Sequence, residues 1–447
     1  MRLKTWAALA AAALTLPFLQ GCGDDHANDG LVRVVNATTD YSSIDLYTQD
    51  NDGNDTLVVS GTAAGKVSAY SDVKRGSQTF EIKSGSSAGN ASSATGNITV
   101  GDHFTLVSYI TGNTLDTVFL SEEEKAPSSG NAKLRVLNGA ATEAGNVDIY
   151  LSQNACNALA TTDTAFLSAV AAPTAGATFS TAYSQLTASA AGTSWHLCVT
   201  ANGDKSNVLL DLPSFTLKDQ EIATLILTRT SGGVLLNATQ LDQQGALTAF
   251  SNTIARVRVV ADAAAAGTVS ATVNGISLSA DNVSPSIGSY SAVPAGAITG
   301  TYQINDTAIS PPALGSLTAG SDYTLFIGGT VASPTVTLLA DDNTPSTSAA
   351  SPVKARALSG VNPTASVAGG VVTVNAGGKS IGSSVAFGGV SAYAQIPAFA
   401  GTATLSVSIG GAPQPTQVNQ TFTSGAVYTI LVYGDANAPQ VVINQDN

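Results

Sequence analysis

The chain sets out the same landmarks four times, about a hundred residues apart. A lone arginine stands in the apolar strand that opens each unit: Val32-Arg33-Val34-Val35, Leu134-Arg135-Val136-Leu137, Val257-Arg258-Val259-Val260 and Ala355-Arg356-Ala357-Leu358. A tyrosine follows, with an aliphatic residue three positions on: Tyr70/Val73, Tyr183/Leu186, Tyr290/Val293 and Tyr393/Ile396. Each unit closes on an apolar strand around Thr105, Thr224, Thr324 or Thr429. Repetition at a fixed spacing marks an array of like domains, so one small fold must accommodate all four copies.

That fold is all-β. Thr404-Leu405-Ser406-Val407-Ser408-Ile409 alternates cleanly, as do Phe80-Glu81-Ile82 and Tyr302-Gln303-Ile304, placing one face on a core and one in water. Glycine, asparagine and aspartate interrupt the strands at short intervals, as in Asp50-Asn51-Asp52-Gly53-Asn54-Asp55. Several short strands per hundred residues predict four tandem immunoglobulin-like β-sandwich domains, at 31–128, 129–252, 253–350 and 351–447. The joints read as exposed linkers between separate compact units: Glu122 to Gly130, Asp341 to Ser348, and a middle joint beginning at Asp242-Gln243-Gln244-Gly245, stiffer where Leu247 to Phe250 follows.

Residues 1–21 have a signal peptide's layout, with Arg2 and Lys4 ahead of an apolar stretch from Trp6 to Phe18 that is short for a membrane span. The ending Leu19-Gln20-Gly21-Cys22 resembles a bacterial lipoprotein signal, which implies cleavage before Cys22 and lipidation of that residue. Residues 22–30 then form a polar tether. In lipoprotein sorting an aspartate directly after the cysteine favours the inner membrane; Gly23 stands there instead, so the outer membrane is preferred. The expectation is a periplasmic or surface-exposed envelope protein whose only membrane attachment is the lipid on Cys22.

Removing the signal leaves 16 basic against 31 acidic side chains. Such an acidic chain, with charged residues at only 11%, repels phosphate backbones and argues against nucleic acid as a partner.

The opening strand with its arginine, the following Ile44-Asp45-Leu46-Tyr47 or Val147-Asp148-Ile149-Tyr150, the mid-unit tyrosine and the Tyr-Thr-Leu or Tyr-Thr-Ile strand resemble the bacterial domain of unknown function 4397 family. The likeness runs through residues 31 to 447 as successive copies and is clearest in the first two. In the third and fourth units Val269 to Val273 and Val371 to Val374 replace the Asp-bearing strand. The resemblance implies an exported β-sandwich and supplies no catalytic residues.

Several local patterns mimic sites. Gly85-Ser86-Ser87-Ala88-Gly89 matches the nucleophile-elbow spelling without the helix it needs. Gly377-Gly378-Lys379-Ser380 mimics a phosphate loop whose first glycine is Thr373. Asp50, Asp52 and Asp55 suggest a calcium loop, but Thr48 and Val59 fall where two acidic ligands should stand. His196 and Cys198 share a strand face, yet the mature chain has only His26, His103 and His196, and no cluster forms. No metal, cofactor or catalytic residue is therefore expected. The four arginines read as structural: each stem covers the sheet while its head stays wet, with Asp45 and Asp148 as cross-strand partners in the first two units.

Cys156 and Cys198 remain as an even pair in an exported chain and read as a disulfide. From arginine to tyrosine is 37, 32 and 37 residues in units one, three and four, but 48 in unit two. The excess lies after Tyr150, with Cys156 at its start, so a loop covering the outer face would meet Cys198 there. The function expected is a non-catalytic spacer or protein-binding adhesion module. A carbohydrate- or surface-polymer-binding lipoprotein is the alternative, and a hydrolase comes third. Replacing Cys22 with serine should leave unprocessed precursor or release the protein from membranes, and detergent-phase partitioning reads the difference; unchanged partitioning would reject lipidation.

Overall fold

A computed structural model describes residues 28–84, 91–112, 114–188, 192–230, 232–346, 348, 352–361, 371–399 and 401–446. The signal peptide, Cys22, His26 and the Gly85 to Gly89 pattern lie outside the described residues.

The first sandwich shows the plan. Its strands are β1 (Asp29–Asn36), β2 (Ser43–Gln49), β3 (Asp55–Ala63), β4 (Lys66–Val67), β5 (Ser71–Lys74), β6 (Gly76–Lys83), β7 (Ala91–Ile98), β8 (His103–Thr111) and β9 (Thr114–Ser121). One sheet runs β4-β1-β8-β9 with β5 also on β1; the other runs β3-β2-β6-β7. Strand β1 is central and parallel to β8, while β9 returns antiparallel. Leu31 therefore lies opposite His103, and Phe104 opposite Ser121, so the chain enters and leaves at the same pole of the sandwich. The core between the sheets gathers Val32, Val34, Leu46, Phe80, Ile82, Phe104 and Leu106.

Three further sandwiches repeat this pattern, each with its arginine strand parallel to its threonine strand: Asn131–Asn138 with Ile222–Arg229, Ile254–Ala263 with Asp322–Thr330, and Val353–Val361 with Val427–Asp435. The register is common to all, since Arg33, Arg135, Arg258 and Arg356 stand opposite Thr105, Thr224, Thr324 and Thr429. The aliphatic residue three after each tyrosine belongs to the short strand on the other flank: Val73, Leu186, Val293 and Ile396 pair with Gly30, Ala132, Ala255 and Val353.

The sheets carrying the arginines are covered on both faces. Every described position of Ile254–Ala263 and Val353–Val361 is buried, as is nearly all of β8. Val35, Val107, Tyr109, Val118 and Leu120 of the first sandwich share an apolar cluster with Leu137, Ile226 and Leu241 of the second. Val260 and Phe326 of the third share another with Leu358 and Leu431 of the fourth. Sandwiches thus lie side by side in two pairs. A strand buried on both faces reads as a near-continuous apolar run, and this is why the opening strands do not alternate.

The joints differ accordingly from the exposed linkers read in the sequence. Glu122 and Pro127 are buried, Gln220 Nε2 donates to the Pro127 carbonyl at 3.2 Å, and Asp341 and Asn343 are buried as well. Asp242 to Gly245 is a hairpin turn and not a linker: Leu247–Phe250 pairs back on Leu236–Asp242 as a fifth strand. That strand turns the exit of the second sandwich to its far pole. There the tip of its long hairpin meets the third sandwich, with Thr230 Oγ1 donating to the Gly320 carbonyl at 2.6 Å and Gly232 bridging Ser321.

The enlarged stretch of the second sandwich has two jobs. Cys156, in the turn Cys156–Ala158, is joined to Cys198 on the outer face, Cα to Cα 5.4 Å, with Leu197 in the core. Further on, residues 176–179 leave their own sandwich and pair with β9: Gly176 N donates to Thr117 O at 2.8 Å and Phe179 N to Phe119 O at 2.8 Å, while Thr95 N of β7 donates to Gly176 O at 3.1 Å. The strap bridges the edges of the two sheets of sandwich one. A Cβ on Gly176, at φ +72, would stand 2.9 Å from the Ser93 carbonyl, so only glycine fits that approach. Cys156→Ala should lower the stability of the second sandwich by about 4 kcal/mol in the chain-entropy model for a separation of 42 residues, less any strain, as read by urea unfolding with and without reductant.

Candidate functional site

Three of the four repeated landmarks converge on one cluster in every unit. Each arginine lies across its strand between the threonine on one flank and the tyrosine on the other. Arg33, Arg135, Arg258 and Arg356 donate Nε to their own threonine hydroxyl at 3.0, 2.8, 2.9 and 3.1 Å. Their guanidinium carbons lie 4.7, 4.3, 4.6 and 4.9 Å from the rings of Tyr70, Tyr183, Tyr290 and Tyr393. Alternation does put each arginine on the opposite face from its apolar neighbours, but that face is covered by the paired sandwich. The heads are buried, at 1 to 5% exposure, and not in water.

Burying a guanidinium demands charge and acceptors. They come from the residue two beyond the last strand's partner of the threonine: Glu122, Asp341 and Asp446 accept from Thr105, Thr324 and Thr429 at 2.7, 2.6 and 2.6 Å. In the third and fourth sandwiches these acids are exchanged. Arg258 donates Nη1 to Asp446 at 2.5 Å and Nη2 to Thr429 at 2.9 Å, while Arg356 donates Nη2 to Asp341 at 2.5 Å and to Thr324 at 3.2 Å. Each arginine thus bonds both threonines, in an arrangement close to two-fold symmetry. Tyr290 donates to Asp341. The Tyr393 hydroxyl, whose own unit's acid is committed to Arg258, is buried without a hydrogen-bond partner among the described residues.

The first pair repeats the plan with one acid missing. Arg33 binds Glu122 at 2.8 Å and reaches into the second sandwich, donating Nη1 to the Gly245 carbonyl at 2.6 Å. Gln243 occupies the place of the fourth acid, its N–H bonded to Ile222 O just as that of Glu122 is bonded to His103 O. Arg135 is left with Thr224, the Ser121 carbonyl at 3.3 Å, and the rings of Tyr183 and, at 5.5 Å, Phe179 from the strap. The electrostatics follow. Burial lowers the pKa of Arg135; burial would lower that of Arg258 too, but Tyr290, Asp446 and Asp341 outweigh it and hold it up.

Asp45 and Asp148 do not meet the arginines. Each sits at an irregularity of the second strand and accepts from a backbone N–H: Asp45 from Gly61 at 2.6 Å, and Asp148 from Ala169 at 2.8 Å and Gly203 at 2.9 Å. Gly61 and Ala169 have positive φ. The third and fourth sandwiches clamp the same bulge with hydroxyls, Ser270 accepting from Asp281 N and Thr373 from Ser384 N, again at positive φ. The acid is dispensable because the task is to accept one hydrogen bond.

The mimicked motifs have plain roles. Gly377 and Gly378, at φ 52 and 78, form the two-residue turn between Val372–Ala376 and Lys379–Val385. Asp50 caps its own exposed turn, accepting from Asp52 N and Asn54 N. His196 and Cys198 do share a face, and Asp211 lies beside them, but Cys156 and Cys198 are bonded to each other and present no thiolate. The arginine cluster was legible only as a repeat; its signal was the constant step of 17 residues from Thr105, Thr324 and Thr429 to Glu122, Asp341 and Asp446.

These clusters and the paired sheets define a tandem β-sandwich protein. Residues 30–150 match the family described as Domain of unknown function (DUF4397), a span that takes in the first sandwich and runs into the second strand of the second. No curated protein matches the chain. Among solved structures, it is similar to a candidate cell adhesion protein from Bacteroides uniformis (11% identity, 49% of this chain and 99% of that one, TM-score 0.21). It is similar also to the Bacillus anthracis TIE protein (11% identity, 89% and 69%, TM-score 0.14) and to a DUF3823 family protein from Parabacteroides merdae (15% identity, 43% and 98%, TM-score 0.11).

Two substitutions test the joint between the third and fourth sandwiches. Asp446→Asn leaves Arg258 buried without its close carboxylate and should cost about 3–5 kcal/mol, read by chemical denaturation. Asp262 lies at the same interface, with one carboxylate oxygen buried without a hydrogen-bond partner among the described residues and placed where a Cβ on Gly360 would approach it to 2.5 Å. Burial pushes its carboxyl up to about 7 from 3.8. Between these two values the folded chain keeps a proton that the unfolded chain releases, so the destabilisation is absent below pH 3.8, grows as pH rises and is complete above about 7. Asp262→Asn should raise stability at pH 8 by up to about 4 kcal/mol and change it little at pH 4, and equal effects at both would refute the assignment.

Proposed function

We propose that this chain is a lipid-anchored, non-catalytic cell-envelope protein that holds two rigid pairs of β-sandwiches away from the membrane as a spacer or protein-binding, adhesion-type module. The observation that carries this reading is the use made of the repeated polar landmarks. Arginine, tyrosine and threonine are turned inward in all four sandwiches, with an acid beside them in the first, third and fourth, to lock neighbours together, and in such a position they bind one another and not a substrate. Cys22 is the anchor in this reading, the tether lifts the first pair, and the fifth strand of the second sandwich sets the second pair beyond it. Surface features favour protein contact over sugar. The large apolar side chains exposed among the described residues are Leu57, Val100, Val283 and Val331, none of them an aromatic platform on which a sugar ring could stack.

Crosslinking the lipidated protein in intact cells and identifying its neighbours by mass should return one or a few envelope proteins, and a glycan array should stay blank. Saturable binding to a defined glycan would replace this reading with the carbohydrate-binding one. Turnover of ester, peptide or glycoside substrates that disappears with Ser87→Ala or His196→Ala would replace both with an enzyme.

A further inference from the structure

The outer face of the second sandwich, where Cys156 and Cys198 pack with Ile254 and Ala292 of the third, carries a group of side chains that the arginine clusters do not use. His196 and Cys198 project from one face of Thr193–Ala201, Asp211 is the cross-strand partner of Cys198, and the turn Cys156–Ala158 brings Cys156 down on them. One donor atom each from Cys156, His196 and Asp211 lies within 4.8 Å of the others, and the Cys198 sulfur is bonded to that of Cys156. His196 Nδ1 and Asp211 Oδ1 stand 3.7 Å apart, within ion-pair range but too far for a hydrogen bond, and each atom is buried without a hydrogen-bond partner among the described residues. Two complementary buried atoms left unpaired carry a desolvation cost that a shared cation would remove.

We propose that the second sandwich, in its dithiol form, binds a zinc-class divalent ion through Cys156, Cys198, His196 and Asp211. Two thiolates, an imidazole nitrogen and a carboxylate oxygen suit a tetrahedral, borderline-soft ion at about 2.0–2.3 Å. The disulfide is the form that excludes the ion, because the bonded sulfurs offer no thiolate. Opening the bond takes two electrons from a dithiol or phosphine, with one proton added to each sulfur; binding the ion then releases both protons to solvent. Closing it requires a two-electron oxidant, such as the disulfide of an exported oxidoreductase, and expels the ion. A chain arriving outside the cytoplasm with both thiols free therefore faces a competition between ion and oxidant. The His196 side chain is 27% exposed, and Cys156 borders a cleft of about 890 Å³ shared with Lys205 and Tyr290, so the site has a path to solvent.

The test uses the whole mature chain, unfolded with a phosphine, refolded without air and titrated with cobalt(II). One equivalent should bind, with a thiolate-to-cobalt charge-transfer band and the intense visible bands of tetrahedral cobalt, and zinc should displace it; the oxidised protein should show neither band. His196→Ala and Asp211→Asn should each weaken binding by at least about tenfold. Bands of equal strength and affinity in both variants would show that the thiols act alone, and would overturn the site. So would a refolded dithiol protein, matching the oxidised one by circular dichroism, that binds no cobalt. Should the dithiol chain refold only partly, zinc must restore its β-sheet signal, and failure to do so rejects the proposal equally.

Discussion

A guanidinium placed on the outer face of a central strand sets the terms for the rest of this molecule. That strand has neighbours on both sides, and the arginine's head can reach water only if the sheet's outer face is left open. Here it is closed by another sandwich, so each buried cation must find acceptors on its own sheet and on its neighbour's. The flanking threonine and tyrosine supply one acceptor and one ring in every copy, and further acceptors are drawn from across the joint, although Arg33 also keeps its own unit's Glu122. Pairing of sandwiches and burial of arginine are therefore one requirement seen from two sides.

The two pairs meet that requirement differently. Between the third and fourth sandwiches, two arginines and two aspartates exchange partners and the charges balance. Between the first and second, Glu122 is the carboxylate that bonds Arg33, while Gln243 stands where a fourth acid would complete the set. The strap from the second sandwich offsets the shortfall by laying Phe179 beside Arg135 and pairing with β9. The extra residues that read as a loop held by a disulfide thus also secure the weaker of the two arginine clusters.

Much of this is readable in the sequence, and the failures share a cause. The β-sandwiches, the fourfold register and the bond from Cys156 to Cys198 all follow from local pattern, compartment and spacing, which one unit's sequence carries by itself. Alternation places Arg33 and its three counterparts on the face away from Val32 and Val34, as the structure does, yet suggests that they are wet, because periodicity tells which face a residue occupies and not what covers that face. Glu122 to Gly130 misleads for the same reason: charge and proline look like a tether until Arg33 and Gln220 are seen to hold it. Asp45 and Asp148 invite an electrostatic partner when their task is to fix a bulge, a local irregularity marked by a register shift and by positive φ at Gly61 and Ala169.

Entry and exit at one pole determine how the chain would carry a pull. In a row of domains threaded end to end, tension crosses each core and loads many strand-to-strand bonds together. Here Leu31, His103 and Glu122 lie side by side, so tension through the first sandwich would begin by prising β1 from β8 at that pole, one bond at a time. The first obstacle it meets is Arg33, tied at once to Thr105, Glu122 and Gly245 of the next sandwich. Strain would therefore gather at the Arg33 cluster before it reached the hydrophobic core, and a pull at Leu31 would load the joint between the first two sandwiches as soon as β1 began to part from β8.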